Sequence, residues 1–563
     1  MPPRRAAAPY LLMNFKYNRR LIVYLCVLVA LLPLVCFRDV TPDNELRYLS
    51  IADEALRYNH GFAFYSHDEP YADKPPLYIW LAMLARWLFD DDAGLFLMLF
   101  SVIPAFVVAE VMDRWSRPAL SEDCSVMATL LLLSCGLFAG MMAFLRMDML
   151  MTMWIVLALR CFFVRWQDAR SPHPTGCRAE GWWFPVFVFL AVFTKGPLGF
   201  LIPLFSIIVF LWQRRRLKWF FLFFDWRAWS VLGGLCAIWL ACAYAEGGGD
   251  YLYNLTVHQT LGRAVNSFHH NRPPWYYLTT MTYSLLPWTL LAVGGVVAAL
   301  TRKARWRSQK ELFFLLTSIT IIVLLSLIGS KMQVYMLPAY PFLLYLAAIY
   351  VSRYRTSRWV KAAVAVPATL LCAGGLAVWS IVKLDAFRAF DCWEVYAAGS
   401  VLALAAGGAL WLLFGRRDTP MAINVTAGGI FAAIFIAGFA VADLNPHTSY
   451  GPLGRTAYNI ATSYDCDGYY AYRIHRAENM DVYFHKRVGI IADTVADPVK
   501  ALPEHGRWVL MTPAGAIPND SDTYQTTVGR YEIHIVDNPP WVSAEDEFFR
   551  RRAPYIHSTF PFL

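Results

Sequence analysis

Charge is what this chain has least of. Of its 563 residues, 16% are Asp, Glu, Lys or Arg, against 58% hydrophobic. A soluble globule of this length is not built on so little charge. The composition excludes that class and points to an integral membrane protein, with no nucleic-acid partner expected. The 11 cysteines are scattered, mostly within apolar runs, with no C-x-x-C pair and no Cys/His zinc spacing. They read as small buried apolar residues. Cys392 and Cys466 are both expected on an oxidising side, which leaves a disulfide between them open. No internal repeat and no low-complexity tract is visible. MPPRR and KYNRR lead into an apolar run with no small-residue cleavage site after it, so the first span is expected to be a retained anchor.

What is present is a series of apolar runs. They lie near 20–37, 95–112, 125–144, 149–165, 182–194, 196–212, 228–245, 276–300, 312–329, 333–351, 360–382, 393–414 and 422–442. That is about thirteen spans near the ~20 residues a bilayer requires, two of them shorter. TKGP at 194–197 interrupts one long apolar stretch and reads as a tight turn between two short spans. Basic residues set the orientation. With the N-terminus in the cytoplasm, Arg114 and Arg117, Arg165, Arg170 and Arg178, QRRRLK, TRKARWRSQK, SRYRTSR, and Arg416 with Arg417 all fall inside. The loop after the first span then falls outside, and an odd number of spans puts the C-terminal tail outside too.

From about Asn445 the apolar runs shorten and polar residues appear throughout. MDVYFHKRVGII, RWVLMTP and YEIHIVD read as short strands. The expected fold is therefore a polytopic α-helical membrane domain over 1–444, whose first outer loop (38–94) carries juxtamembrane helices. A small extracytoplasmic α/β domain of roughly 115 residues over 445–563 is expected to follow.

The loop 38–80 is acidic, basic and aromatic at once, and a loop this long between spans is uncommon unless it is functional. SIADEALRY within it has helical spacing, with Ile51, Ala55 and Leu56 on one side. The loop holds two clusters, PDNELRY from Pro42 and DKPPLY from Asp73. Further charged groups stand near span ends: Arg146 and Asp148, Lys195, and Lys331 with Tyr335. The loop 246–275 adds His258, Arg263, His269 and His270. In the expected orientation all of these lie at outer span ends, where an outward-facing cleft would use them. Charges in a bilayer are costly and usually functional. Carboxylates beside cations at a membrane surface suit a lipid phosphate carrying an activated group. The cations neutralise a phosphate leaving group, and a carboxylate takes a proton from the attacking hydroxyl.

PDNELRY, ADKPPLY, RMD, TKGP and KxxxY, in this order, resemble the polytopic glycosyltransferases that use polyprenyl-phosphate sugars. The likeness is to the aminoarabinose (lipid A) transferases and to protein O-mannosyltransferases, which share the GT-C fold. It implies a catalytic base at Asp43 and a second carboxylate at Asp148. Here one extra residue separates Asp43 from Arg47, so Glu45 is an alternative first acid. It implies donor-phosphate ligands at Arg47, Lys74, Lys195, Arg263, Lys331 and Tyr335. It also implies a divalent metal on Asp73, His258, His269 and His270. The resulting expectation is an inverting glycosyltransferase of the bacterial inner membrane. It would move a sugar from a polyprenyl (undecaprenyl) phosphate to a lipid or glycan acceptor at the periplasmic face, lipid A leading. Transfer to protein Ser/Thr, or a lipid-linked sugar flippase or exporter, are the alternatives. For Lys74, Lys195 and Lys331, anchoring a span end by snorkelling is the plain alternative.

Overall fold

The computed structural model describes residues 8–90, 93–120, 123–173, 178–257, 272–301, 308–517 and 525–538. Contacts divide the chain into two units, Met1–Arg38 with Ile51–Leu444, and Asp39–Ser50 with Asn445–Leu563. Among the described residues nine helices are long and apolar enough to cross a bilayer. The count is ten if the bent pair Cys124–Leu133 and Gly136–Met142 is one crossing.

The larger unit begins with α1 (Ala8–Phe37). The loop after it folds into α2 (Glu45–Tyr58), a hairpin of β1 (Tyr65–Ser66) and β2 (Glu69–Pro70), and α3 (Pro76–Phe89). On α2, Ile51 and Ala55 are buried and pack with Phe64, Tyr71 and Ile79. Leu56, expected on the same side, is 38% exposed, because five residues at 3.6 per turn rotate it by about 140° from Ile51. The hairpin turn puts His67 and Asp68 at φ 58° and 67°. Two successive positive φ values match the twist of paired strands but strain any residue except Gly. The buried Glu54 carboxylate holds this turn, accepting the His67 amide at 2.7 Å and the Asp68 amide at 3.1 Å. α3 opens on Pro76, where the missing amide costs nothing.

α4 (Ala93–Ser116) is followed by α5 (Cys124–Leu133) and α6 (Gly136–Met142), bent by 71°. The Gly136 amide leaves the helical ladder at this bend and donates to the Leu286 carbonyl at 2.7 Å. α7 (Met147–Asp168), α8 (Arg178–Lys195) and α9 (Leu198–Gln213) come next. The turn expected at TKGP is present, with Gly196 at φ 90°. The long helices Trp226–Tyr253, Gln309–Leu327, Arg358–Ile381, Trp393–Trp411 and Thr419–Ala437 complete the bundle. One apolar core joins α4, α5, α7 and α9 to Gln309–Leu327 and Tyr340–Arg353. Leu21, Ile22, Leu25 and Val29 of α1 stay exposed, as suits a helix whose surroundings are hydrocarbon. Midway along α1, Arg20 reaches buried Asp113 at 2.7 Å and Glu110 at 3.0 Å, so these charges are paired.

In the smaller unit a five-stranded sheet has the order β4-β3-β5-β7-β6. Its strands are β3 (Gly468–Tyr472), β4 (Val488–Ile491), β5 (Gly506–Pro513), β6 (Gln525–Val528) and β7 (Tyr531–Asn538). β3 runs parallel to β4 and β5, and β7 runs antiparallel to β5 and β6. RWVLMTP and YEIHIVD are strands as expected. MDVYFHKRVGII is not one strand: Asp481–Phe484 is a helical turn, closed by His485 at φ 50°, and only Val488–Ile491 pairs. Cys392 and Cys466 are both free thiols.

Candidate active site

In the larger unit two of the charged residues expected near span ends, Arg146 and Lys195, meet at Asp148. The α6–α7 connection places Arg146 in extended backbone at φ −141°, ψ 138°, immediately before the first turn of α7. Asp148 lies in that turn, where the helix N-terminus favours an anion. Its side chain is 2% exposed. Lys195 is the last residue of α8, and the Gly196 turn ends the helix there. Its ammonium pairs with Asp148 Oδ1. Arg146 Nε lies 3.2 Å from Asp148 Oδ2. The Lys195 ammonium also sits 4.4 Å from the centre of the Tyr335 ring. Tyr335 belongs to the 3-10 helix Gln333–Ala339. Lys331, 4% exposed, donates to the Arg272 carbonyl at 3.0 Å. One carboxylate thus holds two cations in fixed positions and leaves them an excess positive charge. Cations so arranged are pre-organised for a second anion, because their reorganisation is complete before it binds.

Sequence reading missed Arg38 as a member of this region. Its guanidinium donates to the Ala143 carbonyl at 2.9 Å and lies 4.7 Å from the Phe144 ring centre. It therefore holds the segment that delivers Arg146. Its position at the start of the polar loop was the available signal. Asp53 with Arg86 was also missed, a buried pair at 2.5 Å that ties α2 to α3. Asp73 and Lys74 are half-buried, just ahead of α3.

The first acidic cluster lies in the smaller unit. Asp43 sits in the turn before α2, its side chain 67% exposed and its Oδ1 3.2 Å from His475 Nε2. Glu45 is 1% exposed. Its Oε2 accepts the Thr41 amide at 2.7 Å and the Thr41 hydroxyl at 2.8 Å. The two candidate acids therefore differ in kind. Glu45 is consumed in holding the turn, and Asp43 presents its carboxylate outward. Arg47 is half-buried in the first turn of α2. Nearby Asp39 pairs with Arg455 at 2.7 Å, and its amide donates to Asn445 Oδ1 at 3.1 Å. His475 was not anticipated; it lies 432 residues beyond Asp43 (475 − 43).

His258, Arg263, His269 and His270 lie outside the described residues. Of the four expected metal ligands, Asp73 alone is described. Among the described residues no group of three or more His, Cys, Asp or Glu side chains is placed to hold a metal ion.

No protein-family profile matches the chain. Over 332 residues it is 28% identical to the undecaprenyl phosphate-alpha-4-amino-4-deoxy-L-arabinose arabinosyl transferase of Yersinia pestis (strain Pestoides F). The match covers 58% of this chain and 57% of the relative, so the chain spans little more than half the length of that curated protein. The protein of the same name from Erwinia tasmaniensis is 24% identical over 440 residues, covering 74% of this chain and 77% of its own. The crystal structure of ArnT from Cupriavidus metallidurans bound to undecaprenyl phosphate superposes with a TM-score of 0.72 at 18% identity. That match covers 94% of this chain and 98% of the other. The apo form gives 0.66 at 19% identity, covering 92% and 98%. The chain thus has the ArnT fold over nearly its whole length, and it is similar in sequence to proteins named arabinosyl transferases.

Proposed function

We propose that the protein is a multi-pass inner-membrane glycosyltransferase. It moves a sugar, of the aminoarabinose type, from undecaprenyl phosphate to a lipid A-like acceptor at the periplasmic face. The observation that carries this reading is the Arg146–Asp148–Lys195 cluster, built on a buried carboxylate beside Tyr335. The names of the relatives, and the undecaprenyl phosphate bound in the ArnT crystal structure, support the donor class. In this reading about thirteen spans carry residues 1–444, the N-terminus is cytoplasmic, and 445–563 lie in the periplasm.

The phosphate of the donor takes the positive excess held by Asp148. Lys195 and Arg146 offset the charge that grows on it as the sugar departs. Lys74, Lys331 and Tyr335, with Arg47 and Arg263, are proposed as further donor ligands. The acceptor oxygen attacks the anomeric carbon in line and inverts it. Its O–H proton passes to Asp43, and the electron pair of the breaking sugar–phosphate bond leaves on the phosphate. The buried state of Glu45 supports Asp43 as the acid. Asp73, His258, His269 and His270 are the residues proposed to hold a divalent ion, whose charge would further neutralise the phosphate; no step is assigned to it.

Purified protein in detergent, given undecaprenyl phosphate sugar and lipid acceptor, should form glycosylated lipid detectable by mass spectrometry. Turnover without a sealed membrane separates an enzyme from an exporter. Lys195→Ala should lower turnover by on the order of 10²-fold, as removal of one charge-stabilising donor does. Lys195→Arg should keep part of it, since charge survives but geometry changes. Wild-type turnover by a folded Lys195→Ala protein would overturn the assignment.

A further inference from the structure

The pair Asp43–His475 is not explained by stability. Its side chains are 67% and 76% exposed, at 3.2 Å, and such pairs are worth roughly 0–1 kcal/mol at most. Yet the backbone that presents His475 is built with care. The loop after β3 carries Arg473 at φ 53° and Arg476 at φ 57°. These are two non-glycine residues in left-handed backbone, each strained by on the order of 1–3 kcal/mol. Between them, the His475 carbonyl accepts the Tyr450 hydroxyl at 2.5 Å. Tyr450 is 2% exposed and packs edge-on against Tyr531 of β7. Burial pushes its hydroxyl well above the ordinary tyrosine range, so it remains a donor. A buried tether and two strained residues fix the backbone that carries an imidazole whose near partner is Asp43.

We propose that His475 is a positioning residue for the acid Asp43. This rests on the assignment of Asp43 as the proton acceptor made above. The Nε2 side of the imidazole holds Asp43 Oδ1, which leaves Oδ2 to receive the acceptor proton. The C-terminal unit therefore contributes to the chemistry and is more than a periplasmic appendage. After transfer, the proton on the exposed Asp43 carboxylate is released to water.

The test uses the full-length protein in detergent, with turnover and donor affinity measured separately. His475→Ala should lower kcat by up to ~10²-fold, the effect of losing the alignment of one reacting group. Donor affinity and thermal stability should be unchanged. His475→Gln, which keeps a side-chain N–H donor, should recover most of the loss. In an Asp43→Asn background, His475→Ala should lower the residual turnover no further, because its effect runs through Asp43. Wild-type kcat in His475→Ala, or no recovery in His475→Gln, would overturn the positioning role while leaving Asp43 in place. Wild-type turnover in Asp43→Asn would instead remove the acid assignment itself, whatever His475 does.

Discussion

The two acids of PDNELRY show how far one residue can be read from sequence. Spacing alone put Asp43 first and left Glu45 as the alternative. What separates them is a hydrogen bond: the Thr41 amide and hydroxyl both close on Glu45 Oε2, and a carboxylate used as a turn clamp has little capacity left for a substrate proton. Asp43→Asn should therefore cut turnover by ~10²–10⁴-fold, the usual worth of a general base, with donor binding preserved or tightened. Glu45→Gln should cost mainly stability, read as a lower melting temperature, because a clamp oxygen becomes an amide. A dead but stable Glu45→Gln beside an active Asp43→Asn would reverse the two roles. The cluster around Asp148 was easier to anticipate. Arg146, Asp148 and Lys195 stand in apolar surroundings where each charge is expensive, and that expense is visible in a sequence. His475 carries no such mark, since it lies in a polar segment 432 residues beyond Asp43 (475 − 43).

Helices were legible wherever apolar runs were long, and breaks were legible where Gly and Pro marked them. TKGP became a turn because Gly196 takes φ 90°, which a Cβ would resist. The turn is also sterically closed: a Cβ on Gly199 would lie 2.3 Å from the Ala191 backbone carbon of α8. Gly199→Ala should therefore spread α8 from α9, at a cost of about 1–3 kcal/mol as overpacking usually brings, and carry Lys195 away from Asp148. Reduced melting temperature together with weakened donor binding is the expected result. An unaltered melting temperature would mean that the two helices can part freely there. The hairpin of β1 and β2 was not legible. Its turn needs two positive φ values, and the sequence offers His67 and Asp68 where Asn-Gly or Asp-Gly would announce it. The compensation comes from Glu54, thirteen residues earlier in the chain, and no local pattern reports that. The bend between α5 and α6 is similar, since its partner is a carbonyl at Leu286.

For the whole molecule, the apolar runs gave the helical class and the change of composition near Asn445 gave a second unit with a sheet. Run length overstated continuity. The run 276–300 divides into helices Tyr276–Ser284 and Thr289–Thr301, because apolar residues line a break as readily as a helix. Orientation is a property of the charge distribution over all loops. A periplasm-active reporter fused after residue 443 should be active, and a cytoplasm-active one silent. The opposite result would turn the candidate acid toward the wrong compartment. The membership of Asp39–Ser50 in the C-terminal unit has a consequence for the order in which the protein is made. Asp39 meets Arg455 across 416 residues. At ~5–20 residues per second, roughly 20–80 s of translation separate the two. Throughout that time the membrane helices can insert and the Arg146–Asp148–Lys195 cluster can form, but the segment bearing Asp43 has no folded unit to join. Under the proposed function, a chain stalled or clipped before residue 445 would bind donor lipid without transferring its sugar. Synthesis itself then acts as a safety catch, released only once the unit from Asn445 onward has been made.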